Sequence, residues 1–314
     1  MSTSAVRPSP RLVALLLVLA VAVAAAGLAL VPGSGARADG GAAVPERFDD
    51  GSCTKTAIRV GFALDAGDGP GRAAADRFAH DLSDLVACPV EVVLRDSQKQ
   101  LLLSLALHQI DLAQLDPEAV VVADRVAAVD VVGMFATGQE IPARQAPARI
   151  WVRDGSRVRT VADLRRRTLA IGEQLTAGGD LLPRRALQAA GLRAGDVSLR
   201  RIADDGDALR AVRRGQVDAA VTRLPVGPAE AAGLRALWTS TPVLADALAI
   251  RPGVRSKVRR LVVAAARALT ATSLGPLAER EGIQHVTALT SVPLDLYAPL
   301  AVELDALTAA GQAP

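Results

Sequence analysis

The sequence predicts an α/β protein of two doubly wound α/β lobes joined by two crossing strands. Short apolar runs alternate with helix-period stretches from Ala57 onward, the order of a mainly parallel sheet covered by helices. One phrase occurs twice, as His108-Gln109-Ile110-Asp111-Leu112-Ala113 and as Gly215-Gln216-Val217-Asp218-Ala219-Ala220, each time closing a helical stretch and opening a buried strand. Between the copies, Thr137 to Pro147 carries two prolines and a glycine and marks a boundary.

The elements run in order. Ala57 to Leu64 reads as a strand, Asp65 to Gly71 as a turn, Arg72 to Val86 as a helix, Val90 to Leu94 as a strand and Ser97 to Leu107 as a helix. The first copy supplies the strand Asp111 to Leu115. Pro117 to Arg125 is then a helix, and Val129 to Ala136 a strand leading out of the lobe. Ala148 to Arg153 opens the second lobe, and Thr160 precedes Asp163 with capping-box spacing. After the strand Thr168 to Gly172, the turn Leu175 to Asp180 starts a helix that reaches Ala190 and is closed by Gly191. Val197 to Ile202 is a strand, Asp205 to Arg214 a helix, and Ala219 to Thr222 the strand of the second copy. Leu234 to Thr239 reads as the second crossing strand; Val254 to Leu269, Leu274 to Gly282 and Pro293 to Leu307 are helices packing back on the first lobe. Lobe 1 is thus 57–140 plus 235–314, and lobe 2 is 141–234.

Residues 1–38 stand apart from this pattern. Arg7 and Arg11 precede an apolar run from Leu12 to Val31, and Ala36-Arg37-Ala38 offers a cleavage site, the three parts of a secretory signal. Uncleaved, the same run is long enough to serve as an N-terminal membrane anchor. Residues 39–56 are a Gly- and Ala-rich linker. Both readings export the body of the protein. The chain has 36 basic and 33 acidic residues, and three of the arginines lie in the leader, so the exported part is formally neutral. With aromatic residues at 2%, no basic patch interleaved with aromatics marks a nucleic-acid partner. Cys53 and Cys88 each precede a predicted strand. In an oxidising compartment they can form a disulfide stabilising by roughly 3 to 4 kcal/mol; the alternative is two unpaired thiols.

In open α/β sheets, ligands sit beyond the carboxyl ends of the strands. The first copy runs there into Gln114, Asp116 and Pro117, the second into Thr222, Arg223 and Pro225. Together with the Thr176-Ala177-Gly178 turn at a helix start and Leu237-Trp238-Thr239-Ser240-Thr241-Pro242 followed by Asp246, this order resembles the phosphate/phosphonate-type periplasmic substrate-binding proteins of ABC importers, over roughly Ala57 to Gly282. The resemblance implies the type II bilobed solute-binding fold, two lobes closing on a small molecule by a hinge motion.

It also implies a site. Thr176, Ala177 and Gly178 match imperfectly a Ser-Thr-Ser turn in which hydroxyls and free N–H groups at a helix start hold an oxyanion; the alternative is that Thr176 only caps the helix. Asp246 matches a carboxylate that meets the amine of aminophosphonates. Where the family places tyrosines beside the ligand, this chain has Gln98 and Ala146 or Pro147, and Asp205 falls near the place of a histidine. The expected ligand-binding set is Ser97, Gln98, Gln114, Asp116, Thr176, Ala177, Gly178, Asp205, Thr222 and Asp246, its acids favouring a cationic or zwitterionic ligand unless they are turn residues and caps. Trp151 and Trp238 line the cleft or pack in the core. No cofactor, metal or catalytic motif accompanies these residues, and the three histidines are scattered. The expected protein is a monomeric, extracytoplasmic binder of a phosphonate/phosphate-like or zwitterionic molecule, partnered by an ABC transporter permease and touching the membrane only through an uncleaved leader. A membrane-anchored ligand sensor, or an enzyme on the same fold, is the alternative.

Overall fold

A computed structural model describes residues 57–65, 67–138 and 141–311, all within the compact unit Val44–Pro314. The leader, the linker and Cys53 lie outside the described residues.

The larger lobe begins with β1 (Ile58–Ala63), α1 (Gly69–Val86), β2 (Val90–Arg95), α2 (Gln98–Ala106), β3 (Leu112–Leu115), α3 (Pro117–Ala127) and β4 (Asp130–Thr137). β1 lies between β2 and β3 and is parallel to both. α1 forms because Asp68 caps it by accepting from Gly71 N at 2.9 Å and because Ala74, Ala75, Phe78, Leu82 and Val86 share one buried stripe. Phe78 meets Phe62 of β1 edge-on at 5.6 Å. α3 starts at Pro117 behind the cap Asp116, whose carboxylate accepts from Glu118 N at 2.9 Å. Fully buried leucines such as Leu101, Leu105 and Leu112 each contribute about 2 kcal/mol to this core.

Beyond β4 come β5 (Ile141–Pro142), β6 (Arg144–Gln145) and β7 (Arg149–Arg153), then β8 (Thr168–Ile171), a π-helical turn Ala177–Leu181 running into α4 (Leu182–Ala189), and β9 (Ser198–Arg201). α5 (Asp205–Arg213), β10 (Ala219–Thr222), α6 (Pro228–Ala231) and β11 (Leu234–Thr239) complete the smaller sheet. Its order is β11-β7-β10-β8-β9, with β8 parallel to both β9 and β10. The parallel cores are topologically the same, β2-β1-β3 in one lobe and β9-β8-β10 in the other, and each then gains antiparallel neighbours. Apolar side chains cover both faces of the small sheet, Ile150, Leu169 and Val221 on one and Trp151, Ala170 and Val212 on the other.

The chain returns through β12 (Val243–Leu244), β13 (Ala247–Ile250), α7 (Ser256–Ala268), α8 (Ala271–Glu279), β14 (Val286–Thr290) and α9 (Ala298–Ala309). β13 and β14 join the large sheet antiparallel on either side of β4. The sequence pattern does not single these two strands out. Leu234 to Thr239 is not a crossing strand. Every ladder partner of β11 lies on β7, with a bulge between Ala236 and Trp238, and the crossing pair is β6 with β12. The capping-box spacing of Thr160 and Asp163 opens a 3-10 turn, Val161–Leu164, with Thr160 N donating to Asp163 at 2.8 Å.

Candidate functional site

The cleft is built by strand ends and by the helix starts next to them. α2 opens with Gln98, α3 with Pro117, and the turn after β8 carries Glu173 and Thr176. β10 ends at Thr222, which puts Arg223 just beyond it, and Asp246 sits between β12 and β13. A cavity of about 80 Å3 lies among them, lined by Gln98, Gln114, Asp116, Glu173, Thr176, Arg223, Asp246, Arg280 and Glu281, with Phe62, Ala63, Leu64 and Leu277 as its apolar part.

The polar lining is knitted together. Gln114 Nε2 donates to Asp246 Oδ2 at 3.2 Å and to Glu281 Oε1 at 2.5 Å, and Gln145 Nε2 donates to Asp246 Oδ1 at 3.0 Å and to Glu281 Oε2 at 3.4 Å. Two amides therefore clamp two buried carboxyl groups in contact. Burial first, and then the charge of Asp246, hold Glu281 well above the usual carboxylate range, while burial raises Asp246 against the hydrogen bonds it accepts. Glu281 Oε2 also accepts from Asp246 N at 3.1 Å.

Each lobe also places a carboxylate on a helix start of the other. Asp116 Oδ1, at the end of the large lobe's β3, accepts from Ala177 N at 2.7 Å. Glu173 Oε1, at the end of the small lobe's β8, accepts from Gln98 N at 2.6 Å. One N–H at each of these two helix starts, where an oxyanion could otherwise bind, is thus occupied by one of the protein's own acids. Burial, with the charge of Asp246, pushes Asp116 up to about 8 against the N–H groups of Ala177 and Glu118; burial likewise raises Glu173. Deeper still, Glu118 is fully buried, and neither of its carboxyl oxygens has a partner among the described residues. Burial first, and then the charges of Asp116 and Asp180, raise it well above the usual carboxylate range.

The family profile described as the phosphonate periplasmic substrate-binding protein of ABC transporters matches residues 69–290. The chain belongs to this phosphonate-binding protein family. Membership brings a small-molecule ligand, an ABC transporter permease as partner and an extracytoplasmic setting. No curated protein sequence matches the chain. The fold is that of XAC2383 from Xanthomonas citri, solved bound to ATP, with a TM-score of 0.65 and 14% identity over 81% of this chain and 98% of that one. It is also that of a phosphonate-transporter binding component from Pseudomonas aeruginosa (0.64, 15%, 79% and 85%). PhnD1 from Prochlorococcus marinus, solved with methylphosphonate, is similar at 0.65 and 12% over 80% and 98%. These likenesses establish the type II bilobed fold for this member of the phosphonate-binding family.

Of the residues expected to bind, Gln98, Gln114, Asp116, Thr176 and Asp246 meet at the cavity. The other five lie behind it. Ser97 caps α2 by accepting from Gln100 N at 3.2 Å. Ala177 is buried with its N–H on Asp116, and Gly178 packs close to the Arg223 side chain. Asp205 accepts from Arg223 N at 2.9 Å and Leu224 N at 2.8 Å. Thr222 accepts from Trp151 Nε1 at 2.9 Å, which places both in the small lobe's core, and Trp238 packs against the other face of the same sheet. The hydroxyl of Thr176 is turned away to the carbonyl of Glu173, at 2.6 Å. Sequence reasoning leaves out Glu173, Arg223, Arg280 and Glu281 as ligand residues. Arg223 is within its reach, since it stands one residue beyond a strand end of the repeated phrase.

Proposed function

We propose that this member of the family captures a small molecule with a positively charged end in the cleft between its lobes and hands it to the permease without turning it over. The observation that carries the reading is the occupancy of the helix starts: Asp116 and Glu173 fill the Ala177 and Gln98 N–H groups, which leaves a lining with four carboxyl groups and two arginines. Within that lining Asp246, held by two amide donors, gives an ammonium group a carboxyl group to meet, while burial raises the other three acids. Asp246 is the chief partner, because it accepts from Gln114 and Gln145 while burial and the charge of Asp246 raise its neighbour Glu281 well above the usual carboxylate range. The cavity has room for about five waters, or a ligand of similar size. The lobes close about β6 and β12, and the protein works as a monomer held to the membrane only where its leader stays uncut. The Cys53–Cys88 bridge belongs to the same reading. Buried Cys88 stands just before β2, beside the start of β1, where Ile58 N donates to the Pro89 carbonyl at 2.8 Å.

Thermal shift tests this directly. A bound ligand at 100 times its Kd stabilises by about 2.7 kcal/mol. Methylamine, glycine and aminomethylphosphonate are expected to raise the Tm, and phosphate and methylphosphonate to leave it unmoved. Asp246→Asn is expected to weaken amine binding about tenfold, or 1.4 kcal/mol. A shift with methylphosphonate and none with any amine would reverse the reading.

A further inference from the structure

Where β10 ends, two neighbouring side chains go different ways. Thr222 turns inward to Trp151, and Arg223, the next residue, lines the cavity. Its backbone is pinned, since Asp205 accepts from both Arg223 N and Leu224 N. Gly178 of the opposite turn lies against it, since a Cβ there would come into contact with Arg223 Cβ at 3.4 Å. Among the described residues no hydrogen bond or ion pair engages the guanidinium, although Asp116, Glu173, Asp205, Asp246 and Glu281 all lie within its field. The second arginine of the lining differs, because Arg280 is paired with Asp68. Tyr297, the only tyrosine of the chain, is buried near Asp246 and Asp116, with no partner for its hydroxyl among the described residues. The cleft thus holds a cationic donor that nothing engages, facing an acid cluster.

We infer that Arg223 is the anion anchor of the cleft, the residue whose guanidinium pairs with the acid group of the ligand. The inference rests on the cationic-end reading above and adds the other end of the ligand. A guanidinium offers two parallel N–H groups to a carboxylate or a phosphonate, so it replaces the helix-start donors that Asp116 and Glu173 have taken. Arg223 becomes the residue that separates a zwitterion from a plain amine.

Isothermal titration of wild type and Arg223→Gln with glycine, aminomethylphosphonate and methylamine decides the matter. The variant is expected to lose at least about tenfold in affinity for the zwitterions and to gain affinity for methylamine, because a positive charge has left the cleft. Glycine against aminomethylphosphonate shows which acid the anchor takes. Arg223→Lys, which keeps the charge without the fork, is expected to fall between the two and serves if the glutamine variant does not fold. Zwitterion affinity that holds or rises together with that of methylamine overturns the assignment of Arg223 alone. A wild type that binds none of the three amines overturns the reading beneath it as well.

Discussion

The two copies of the repeated phrase do the same structural work at their start and diverge at their end. In the large lobe Asp111 accepts from Arg59 N at 3.0 Å and returns its own N–H to the Arg59 carbonyl at 2.8 Å. In the small lobe Asp218 does the same with Thr168, at 2.9 Å in both directions. Each aspartate thus brackets the first residues of a neighbouring parallel strand and sets its register. Four residues on the likeness stops. The strand of the first copy ends in Gln114 and Asp116, part of a buried acid network; that of the second ends in Thr222 and Arg223, a core hydrogen bond and an unengaged cation. The phrase specifies a lobe, and the residues at the far end of its strand decide which groups the lobe presents to the cleft.

The aspartates themselves sharpen this comparison most. The Asp111 carboxylate is also paired with Arg251 at 2.6 Å, both side chains being less than 15% exposed, whereas Asp218 meets Arg167 at 3.3 Å with 31% and 46% exposed. Removing one partner of a pair sheltered from water strands the other, while an exposed pair contributes little. Asp111→Ala is expected to cost about 3 kcal/mol in urea unfolding and Asp218→Ala about 1. Equal costs would mean that the bracketing hydrogen bonds, shared by both copies, carry the whole effect.

The strand ends separate the copies next, through pH. Asp116, Asp246, Glu281, Glu118 and Glu173 all have raised folded-state pKa values, so the native protein binds more protons than the unfolded chain. Stability is therefore fullest below the ordinary carboxylate range and falls as pH rises toward about 8, where Asp116 titrates. Asp116→Asn keeps an oxygen for Ala177 N and removes the charge. At pH 8 it is expected to be more stable than wild type by at least about 1.4 kcal/mol, or ~2–4 °C in Tm, with the gap closing by pH 4. A gap that does not change with pH would show that Asp116 titrates as an ordinary surface acid.

The parts of the molecule legible in sequence divide along the same line. Periodicity locates β1, β2, β3 and β10 and most helices to within a few residues, because each buries its own face locally. The repeated phrase carries the equivalence of the lobes. Decisions of direction escape it. Thr222 and Arg223 are adjacent, and only the sheet's burial on both faces tells which one points into the cleft. Asp205, expected as a wall of the site, is the brace that holds Arg223 in place. Glu281 lies just after α8 and reaches Asp246 across 35 residues of sequence, a meeting that no local pattern encodes.

The turn that begins each copy gives the smallest and cleanest test. His108 and Gly215 occupy equivalent left-handed positions, φ 58° and 71°, with matching closures: Gln109 N donates to the Ser104 carbonyl at 2.8 Å and Gln216 N to that of Ala211 at 2.9 Å. Glycine takes this conformation freely, and a histidine there costs about 1 kcal/mol of strain, part of which the greater freedom of glycine in the unfolded chain cancels. His108→Gly is accordingly expected to stabilise by about 0.5 kcal/mol. Gly215→Ala is expected to destabilise by about 1 kcal/mol, since its Cβ would also stand 2.6 Å from the movable Arg153 guanidinium. Chemical unfolding of the two variants reads both signs. Opposite signs at equivalent positions would establish the phrase as one structural unit built with a relaxed turn in one lobe and a strained turn in the other; a destabilised His108→Gly would mean that the Arg59 hydrogen bond to the His108 carbonyl depends on the histidine backbone being stiff.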